Sequence, residues 1–293
     1  MGSGVISRGQ SVTRLAIALG IAALAVTPAV AQRGGRGQAG GGPASPRDSA
    51  PLDLTGQWVS LVTDDWRWRM VMPPKGDVLY LPVNDAGRRA AEQWDPAKDD
   101  AAGEACRAYG AGGVMHLPGR LRISWENENT LKVETDTGQQ TRLFNFGATQ
   151  PSGEPTWQGS SIAAWELPGA GGRGGRRGGG AGGGAGRGAG DGAVASGGTA
   201  ARPGSSMRAV TTRMRPGYYR RNGVPYGANA TLTEWFTTLT EPDGNTYLVV
   251  TNILEDSQYM TGPYVRTVQF KKQMDTSGWN PTPCVSGPAY SSR

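Results

Sequence analysis

The chain has 293 residues and a formal net charge of +6 at pH 7. That positive charge is concentrated in residues 1–51 and 168–204, which each contain five arginines and one aspartate, so the rest of the chain has a net charge of −2. A slightly acidic body excludes a nucleic-acid-binding surface, and no nucleic-acid partner is predicted. Because the sequence has one histidine, His116, and two cysteines, it predicts neither a metal site nor a cofactor.

The first 31 residues predict a secretory signal peptide. Two arginines precede an apolar run of twelve residues, 15–26, and the motif AVA ends at Ala31, directly before Gln32. The run is shorter than the roughly 20 residues that a membrane-spanning helix needs. We therefore expect a secreted or periplasmic protein without a membrane span, with a disordered leader over 32–51.

Residues 52–293 are predicted to form one β domain, interrupted by a disordered insertion at 168–204. The insertion consists mainly of glycine, alanine and arginine and cannot bury enough apolar surface to fold. Cys106 and Cys284 lie on either side of it. In an exported protein these two cysteines are expected to form a disulfide bond, which would hold both parts in one core.

Ten short strands are predicted from alternating or continuous apolar runs bounded by turn residues. Their ranges are 57–62, 66–72, 120–125, 131–135, 140–146, 161–166, 208–215, 230–239, 246–254 and 264–271.

The connections carry their own signals. Asp64 and Asp65 are predicted to form a turn between the first two strands. Two short helices are predicted over 85–94 and 96–104, capped by Asn84 and Asp95.

This pattern predicts an all-β fold with a short helical insertion, either a closed antiparallel barrel or a two-sheet β-sandwich. The triplet Gly56-Gln57-Trp58 resembles the G-x-W signature of the lipocalins and other calycins. The resemblance implies a calycin-like barrel whose base is closed by Trp58, packed under a basic residue of the last strand, here Arg266 or Lys271. The alternative is that Trp58 is an ordinary core residue.

A second resemblance covers most of residues 52–284 outside the insertion. The chain is similar to a family of exported proteins from environmental bacteria whose members have no assigned activity. The similar segments are LTGQWVS, DWRWRMVMPPKGD, WDPAKD, ACRAYGAGG, PGRLRI, PTWQG, RPGYYRRNGVPY and NPTPC. The resemblance implies export and a β-rich fold, and it identifies no catalytic residue.

Two polar residues interrupt apolar strand faces. The strand predicted over 230–239 places Glu234 on one face with Leu232 and Phe236. If that face lines a barrel, Glu234 is a buried carboxylate that must be paired or neutral, and it is a candidate general acid or base. If the other face is inside, Glu234 is solvated or forms a surface ion pair. Asn252 in the next strand has similar apolar neighbours and needs polar partners, so it is a candidate ligand contact; the alternative is that it satisfies a loop backbone.

Two arginine-rich segments are candidate ligand contacts. A strand over 66–72 would place Arg67 and Arg69 on one face, where they could hold a carboxylate or a phosphate, and Trp68 on the other. The segment 213–226 is predicted to be a long ordered loop rich in arginine and tyrosine, in which Tyr218 could contact a ligand. Each of these residues could instead serve packing or a structural ion pair.

The preferred hypothesis is an exported soluble protein that binds a small apolar or amphipathic molecule in a β-barrel pocket, with Arg67 or Arg69 and Glu234 fixing its polar end. One alternative is an envelope structural or interaction protein without a pocket. Another is a histidine-free enzyme, an isomerase, cyclase or glycosidase, that uses Glu234 with Asp64 or Asp65. The sequence ranks catalysis below binding, and it determines neither the ligand nor the oligomeric state.

Overall fold

The structure is a computed structural model that describes residues 44–63, 66–168 and 204–287. Within these residues the chain forms eleven strands. They are β1 (Gly56–Leu61), β2 (Arg120–Asn127), β3 (Thr130–Thr135), β4 (Thr141–Phe146), β5 (Ser160–Glu166), β6 (Ser206–Thr212), β7 (Gly217–Arg220), β8 (Val224–Tyr226), β9 (Thr231–Thr240), β10 (Thr246–Glu255) and β11 (Tyr264–Gln273).

Short helices lie mainly between β1 and β2. They are α1 (Trp66–Arg69), α2 (Asp85–Gln93), α3 (Pro96–Ala101), a 3₁₀ helix (Ala105–Tyr109) and α4 (Ala111–Val114). Asn84 and Asp95 cap α2 and α3 as predicted, because their side chains accept hydrogen bonds from the first-turn backbone N–H groups. No helix in the described ranges is long and apolar enough to cross a membrane.

Nine strands close into a barrel in the order β1-β11-β10-β9-β6-β5-β4-β3-β2. The predicted all-β barrel is thus confirmed, and the two-sheet sandwich is wrong. Neighbouring strands are antiparallel except for β4 and β5, which run parallel over three register pairs, so the barrel is mixed. A parallel pair needs a crossover of about a dozen residues or more, and residues 147–159 supply it.

The inward-facing side chains pack into one large apolar cluster that fills most of the barrel. Trp58 lies in this cluster, fully buried, and its indole N–H donates to the carbonyl of Leu54 at 3.0 Å. The basic residue over its ring is Lys272, with Nζ 5.3 Å from the ring centroid. The prediction of Arg266 or Lys271 for this position is wrong, because Trp58 pairs in register with Lys272 and the adjacent Lys271 faces the other way.

The strand predicted over 66–72 does not form. Residues 66–69 are the one-turn helix α1, and Trp66 is exposed while Arg69 is buried. The reason is topological: β1 already pairs with β11 on one side and with β2 on the other, so no edge is left for a following strand. The turn predicted at Asp64 and Asp65 lies outside the described residues.

The predicted loop over 213–226 contains the hairpin β7–β8, and every residue of both strands is buried. Tyr226 fits against glycine backbone, since a Cβ on Gly112 would lie 2.8 Å from its ring. Together with α2 the hairpin covers one end of the barrel, where Tyr219, Tyr226 and Leu232 share a second apolar cluster. The segment is therefore part of the core rather than a solvated connection.

The disulfide bond between Cys106 and Cys284 is present and joins residues 178 positions apart. β5 and β6 pair up to Glu166 and Ser206, beside the predicted insertion, whose residues 169–203 lie outside the described part. The predicted signal peptide lies outside it too. Of the predicted leader, residues 44–51 are described, and the Pro46 carbonyl accepts a hydrogen bond from Trp165 at 2.8 Å. The packed part of the chain thus begins before residue 52.

Candidate functional site

A row of polar side chains crosses the barrel interior near the end covered by the β7–β8 hairpin. In the strand register Glu234 of β9 pairs with Asn252 of β10, and Asn252 pairs with Arg266 of β11. All three alternate with buried apolar residues on the inward faces of their strands. We call this row, together with Arg142 of β4, the polar layer.

Glu234 and Arg142 form a fully buried ion pair. The guanidinium donates to both carboxylate oxygens, at 2.9 and 2.5 Å, and each side chain has 0% exposure. Arg142 also lies 3.4 Å from the Thr211 hydroxyl, which is hydrogen-bonded to Ser161 at 2.7 Å. The inward orientation of Glu234 is the one required by its role as a candidate general acid or base. Both of its oxygens are nevertheless held by Arg142, so the geometry favours a structural ion pair.

Asn252 contacts the single histidine of the chain. His116 follows α4, and its Nε2 lies 3.3 Å from Asn252 Oδ1. Burial lowers the pKa of His116 well below its ordinary value, and the positive charges of Arg266, Arg69 and Arg220 lower it further. His116 is therefore a neutral imidazole at neutral pH.

The side chain of His116 borders a small cavity that is lined by arginines. We call these arginines the arginine cluster and the space between them the arginine cavity. Four arginines from three parts of the fold line it: Arg69 of α1, Arg220 of β7 with the next residue Arg221, and Arg266 of β11. The cavity volume is about 20 Å³, which is enough for one water-sized group. None of the described residues that line it is a carboxylate.

Arg69 and Arg220 are fixed by backbone carbonyls. Arg69 donates to the carbonyl of His116 at 3.0 Å and to that of Leu61, and Arg220 donates to the carbonyl of Leu79 at 3.2 Å. Burial lowers the pKa of Arg220, and the nearby charge of Arg266 adds to the effect. Arg69 and Arg266 have further interactions.

Only some of the predicted ligand contacts come together. Arg69 and Trp68 line the arginine cavity. Asn252 lies next to the cavity and contacts His116, which borders it. Arg67 is exposed, with its guanidinium 5.1 Å from the Trp68 ring centroid, because α1 turns it away from Arg69. Glu234 belongs to the polar layer and does not line the cavity.

Tyr218 is placed elsewhere. Its hydroxyl donates to buried Asp99, which also accepts hydrogen bonds from Trp94 at 3.1 Å and from Arg107 at 2.8 Å. Burial raises the pKa of Tyr218 above its ordinary value. This arrangement ties the helical segment to β7, so the described contacts give Tyr218 a structural role.

Arg220, Arg221 and Arg266 were not predicted as ligand contacts. Their signal was present as the pair Arg220-Arg221 between two tyrosines and an Asn-Gly turn, but the hairpin that buries Arg220 could not be inferred from it. No group of three potential metal-ligating side chains occurs among the residues that the structure describes.

A larger groove lies on the other side of the helical segment. Its volume is about 520 Å³, and it is lined by Trp94, Asp95, Pro96 and residues 72–75, with the sequence Met-Pro-Pro-Lys. A third apolar cluster lies between this groove and the arginine cavity. Its members Trp94 and Met72 line the groove, whereas its members Ala108 and Leu117 line the arginine cavity.

Comparison with family models, with curated proteins and with solved structures finds no match to this chain.

Proposed function

We propose that this is an exported binding protein for a small amphipathic carboxylate, whose charged group occupies the arginine cluster. The observation that carries the proposal is the arrangement of Arg220, Arg221 and neutral His116 around a cavity without a described carboxylate. A buried guanidinium loses hydration that an anion can replace with charge-assisted hydrogen bonds. Arginine is suited to this because its planar fork matches a carboxylate.

The size of the cavity limits what can enter it. A volume of about 20 Å³ accepts one oxygen-bearing group and not a whole molecule. The barrel interior is filled by the large apolar cluster, so the site lies at the covered end of the barrel rather than in its lumen. The rest of the ligand would lie outside the cavity, beside Trp68 and Arg221, which line it and are both half-buried.

Apolar surface for the rest of the ligand lies beside α1. Met70 and Val71 are exposed directly after Arg69. Exposed apolar residues grouped next to a charged cavity are typical of a binding surface. This arrangement favours a molecule with an apolar chain and one carboxylate.

The test is isothermal titration calorimetry of the purified protein with sodium decanoate. We expect saturable binding that weakens as ionic strength rises, with decanol and acetate binding far more weakly. Arg220→Gln should weaken decanoate binding about tenfold or more, because a hydrogen bond to a charged group contributes about 1.5–3 kcal/mol. Arg221→Gln should act in the same direction.

Arg67→Gln is the matched control. Arg67 and Arg220 both lie over the Trp68 ring, at 5.1 and 4.6 Å, but only Arg220 lines the cavity. The control should bind decanoate within about twofold of the unmodified protein. Absence of saturable binding, or equal weakening by Arg67→Gln and Arg220→Gln, would refute the proposal and favour the envelope structural role.

A further inference from the structure

A second candidate site lies where β4 and β5 separate. Two cavities, of about 440 and 320 Å³, share Asn145, Ser152 and Ser160 in their walls and together make up one candidate site. We call it the β4–β5 groove. It is far larger than the arginine cavity and shares no lining residue with it.

The groove exists because the parallel pairing of β4 and β5 is short. The register begins at Phe144 paired with Ser161, whereas Thr141 and Leu143, earlier in β4, line the groove instead. The crossover 147–159 passes over this gap and adds Ser152 and Trp157 to the wall. The opening is thus built into the only parallel step of the barrel.

The chemistry of the wall is neutral and rich in hydrogen-bonding groups. Charged residues make up 18% of the chain, yet no charged residue of the described ranges lines either cavity, and the polar side chains there are amides and hydroxyls. Such a wall provides no counter-charge for an ionic ligand. It suits a neutral molecule that carries many hydroxyl groups.

Gln158 provides an acceptor for such a ligand. Its Nε2 donates to the Tyr109 carbonyl at 2.7 Å and to Gln140 Oε1 at 2.9 Å, which fixes the amide. Its Oε1 is buried and has no hydrogen-bond partner within the described part of the chain. A buried acceptor without a partner is costly, so a ligand hydroxyl would gain this hydrogen bond only where the side chain turns the oxygen towards the groove.

Trp157 adds an aromatic surface to the same wall. The Arg215 guanidinium lies 3.9 Å from its ring centroid and is itself paired with Glu104 at 2.7 Å, so the cation is already neutralised. The ring is half-buried and borders the groove. A sugar ring has an apolar C–H face and a hydroxyl-bearing edge, and an aromatic ring beside amide side chains complements both.

We infer that the β4–β5 groove binds a neutral oligosaccharide. An extended peptide paired with the edge of β4 is the competing occupant. A peptide that adds to a strand edge takes its specificity from pockets for its alternate side chains. A wall of neutral amides and hydroxyls suits such a peptide less well than it suits a sugar. The two joined cavities favour a chain of sugar rings over a single sugar.

The experiment is saturation-transfer NMR and calorimetry of the purified full chain with cellohexaose, maltohexaose, mannohexaose and xylohexaose. At least one should bind saturably, and a galacturonic acid hexamer should not bind more tightly. Trp157→Ala should weaken that binding about tenfold or more. Ser152→Trp should abolish it by filling the groove at the point that both cavities share, without altering a buried side chain.

The matched control is Trp279→Ala. Trp279 also lies against an arginine, 4.3 Å from Arg122, but it does not line the groove. Binding should be unchanged in this variant. The proposal is overturned if none of the four hexasaccharides binds or if the Ser152→Trp variant binds them normally. It is also overturned if a random-sequence hexapeptide pool binds in the groove and none of the sugars displaces it. Decanoate binding is measured in the same variants and should persist, so failure here is separable from failure at the arginine cluster.

Discussion

The buried ion pair between Arg142 and Glu234 allows a sharp test of how the barrel interior is stabilised. Replacing Glu234 with glutamine keeps the side-chain volume and removes the negative charge. Arg142 then keeps its positive charge at a position with 0% exposure. The glutamine oxygen can accept one of the two hydrogen bonds, and the Thr211 hydroxyl lies 3.4 Å away, but neither group supplies the negative charge that the carboxylate provided.

Loss of one partner of a buried pair costs about 3–5 kcal/mol, because the other charge is left without compensation. In a domain of this size each kcal/mol lowers the melting temperature by about 2–4 °C, so Glu234→Gln should lower it by about 6–20 °C. The double variant Arg142→Met/Glu234→Leu removes both charges. It should recover most of the loss, because apolar residues of similar size often match a buried pair in stability.

Urea unfolding followed by far-UV circular dichroism gives the free energies of unfolding for the double-mutant cycle. The control is Glu126→Gln, which breaks the exposed pair between Glu126 and Lys132, 3.1 Å apart, and should cost about 0.5 kcal/mol or less. A cost below about 1 kcal/mol for Glu234→Gln would refute the buried pair. A double variant no more stable than the single would refute the role of the unpaired charge.

Three further predictions concern the rest of the domain. Because the pKa of buried His116 lies below its value in the unfolded chain, the unfolded state takes up a proton first as the pH falls below about 6.5. The free energy of unfolding should therefore fall between pH 7 and pH 5, by at most about 1.4 kcal/mol per pH unit from this group, and His116→Gln should flatten the slope; an equal slope would refute the prediction. Replacing both Cys106 and Cys284 with serine should cost up to about 5 kcal/mol in urea unfolding, as expected for a loop of this length, and a loss below about 1 kcal/mol would contradict that estimate. Replacing residues 169–203 with a four-residue turn should leave the melting temperature unchanged or raise it, because the shorter loop can add up to about 2 kcal/mol of loop-closure entropy to the free energy of unfolding. A marked decrease would mean that the segment packs on the barrel.

Where a strand is regular, local periodicity predicted which side chains share a face but left open which face is inside. The alternation in β9 correctly placed Glu234 with Leu232 and Phe236 on one face, and that face is inside. The partner, Arg142, lies 92 residues earlier in the chain. Whether Glu234 would be paired or reactive therefore depended on the order of strands around the barrel, which periodicity does not contain.

The same kind of pattern failed for residues 66–69. Tryptophan and arginine alternate there as they would in a strand, but a strand forms only where a neighbour offers a free edge. β1 has no free edge, since it closes the barrel between β11 and β2. The alternation of Arg67 and Arg69 is therefore present in the sequence, but the strand predicted from it was wrong.

The arginine cluster was the least predictable feature. Its members come from α1, β7 and β11, which are far apart in sequence, and each has a reasonable local interpretation as a solvent-exposed cation. Burial of Arg220 depends on the β7–β8 hairpin, whose sequence is rich in glycine, proline and arginine and resembles a loop. Sequence reasoning could locate the arginines but not the cavity between them.

Because packed apolar side chains fill the barrel, the residues that stabilise the protein differ from those that we propose to bind ligands. Trp58 lies in the large apolar cluster and borders none of the cavities described here, so shortening its side chain should cost stability. Arg221 and Ser152 are not fully buried and border the two candidate sites. If the lumen were a binding pocket, as in a calycin carrier, a variant at Trp58 would alter affinity as well. We expect instead that Trp58→Phe lowers the melting temperature while leaving decanoate affinity unchanged at temperatures where the protein is folded, because Trp58 does not line the arginine cavity.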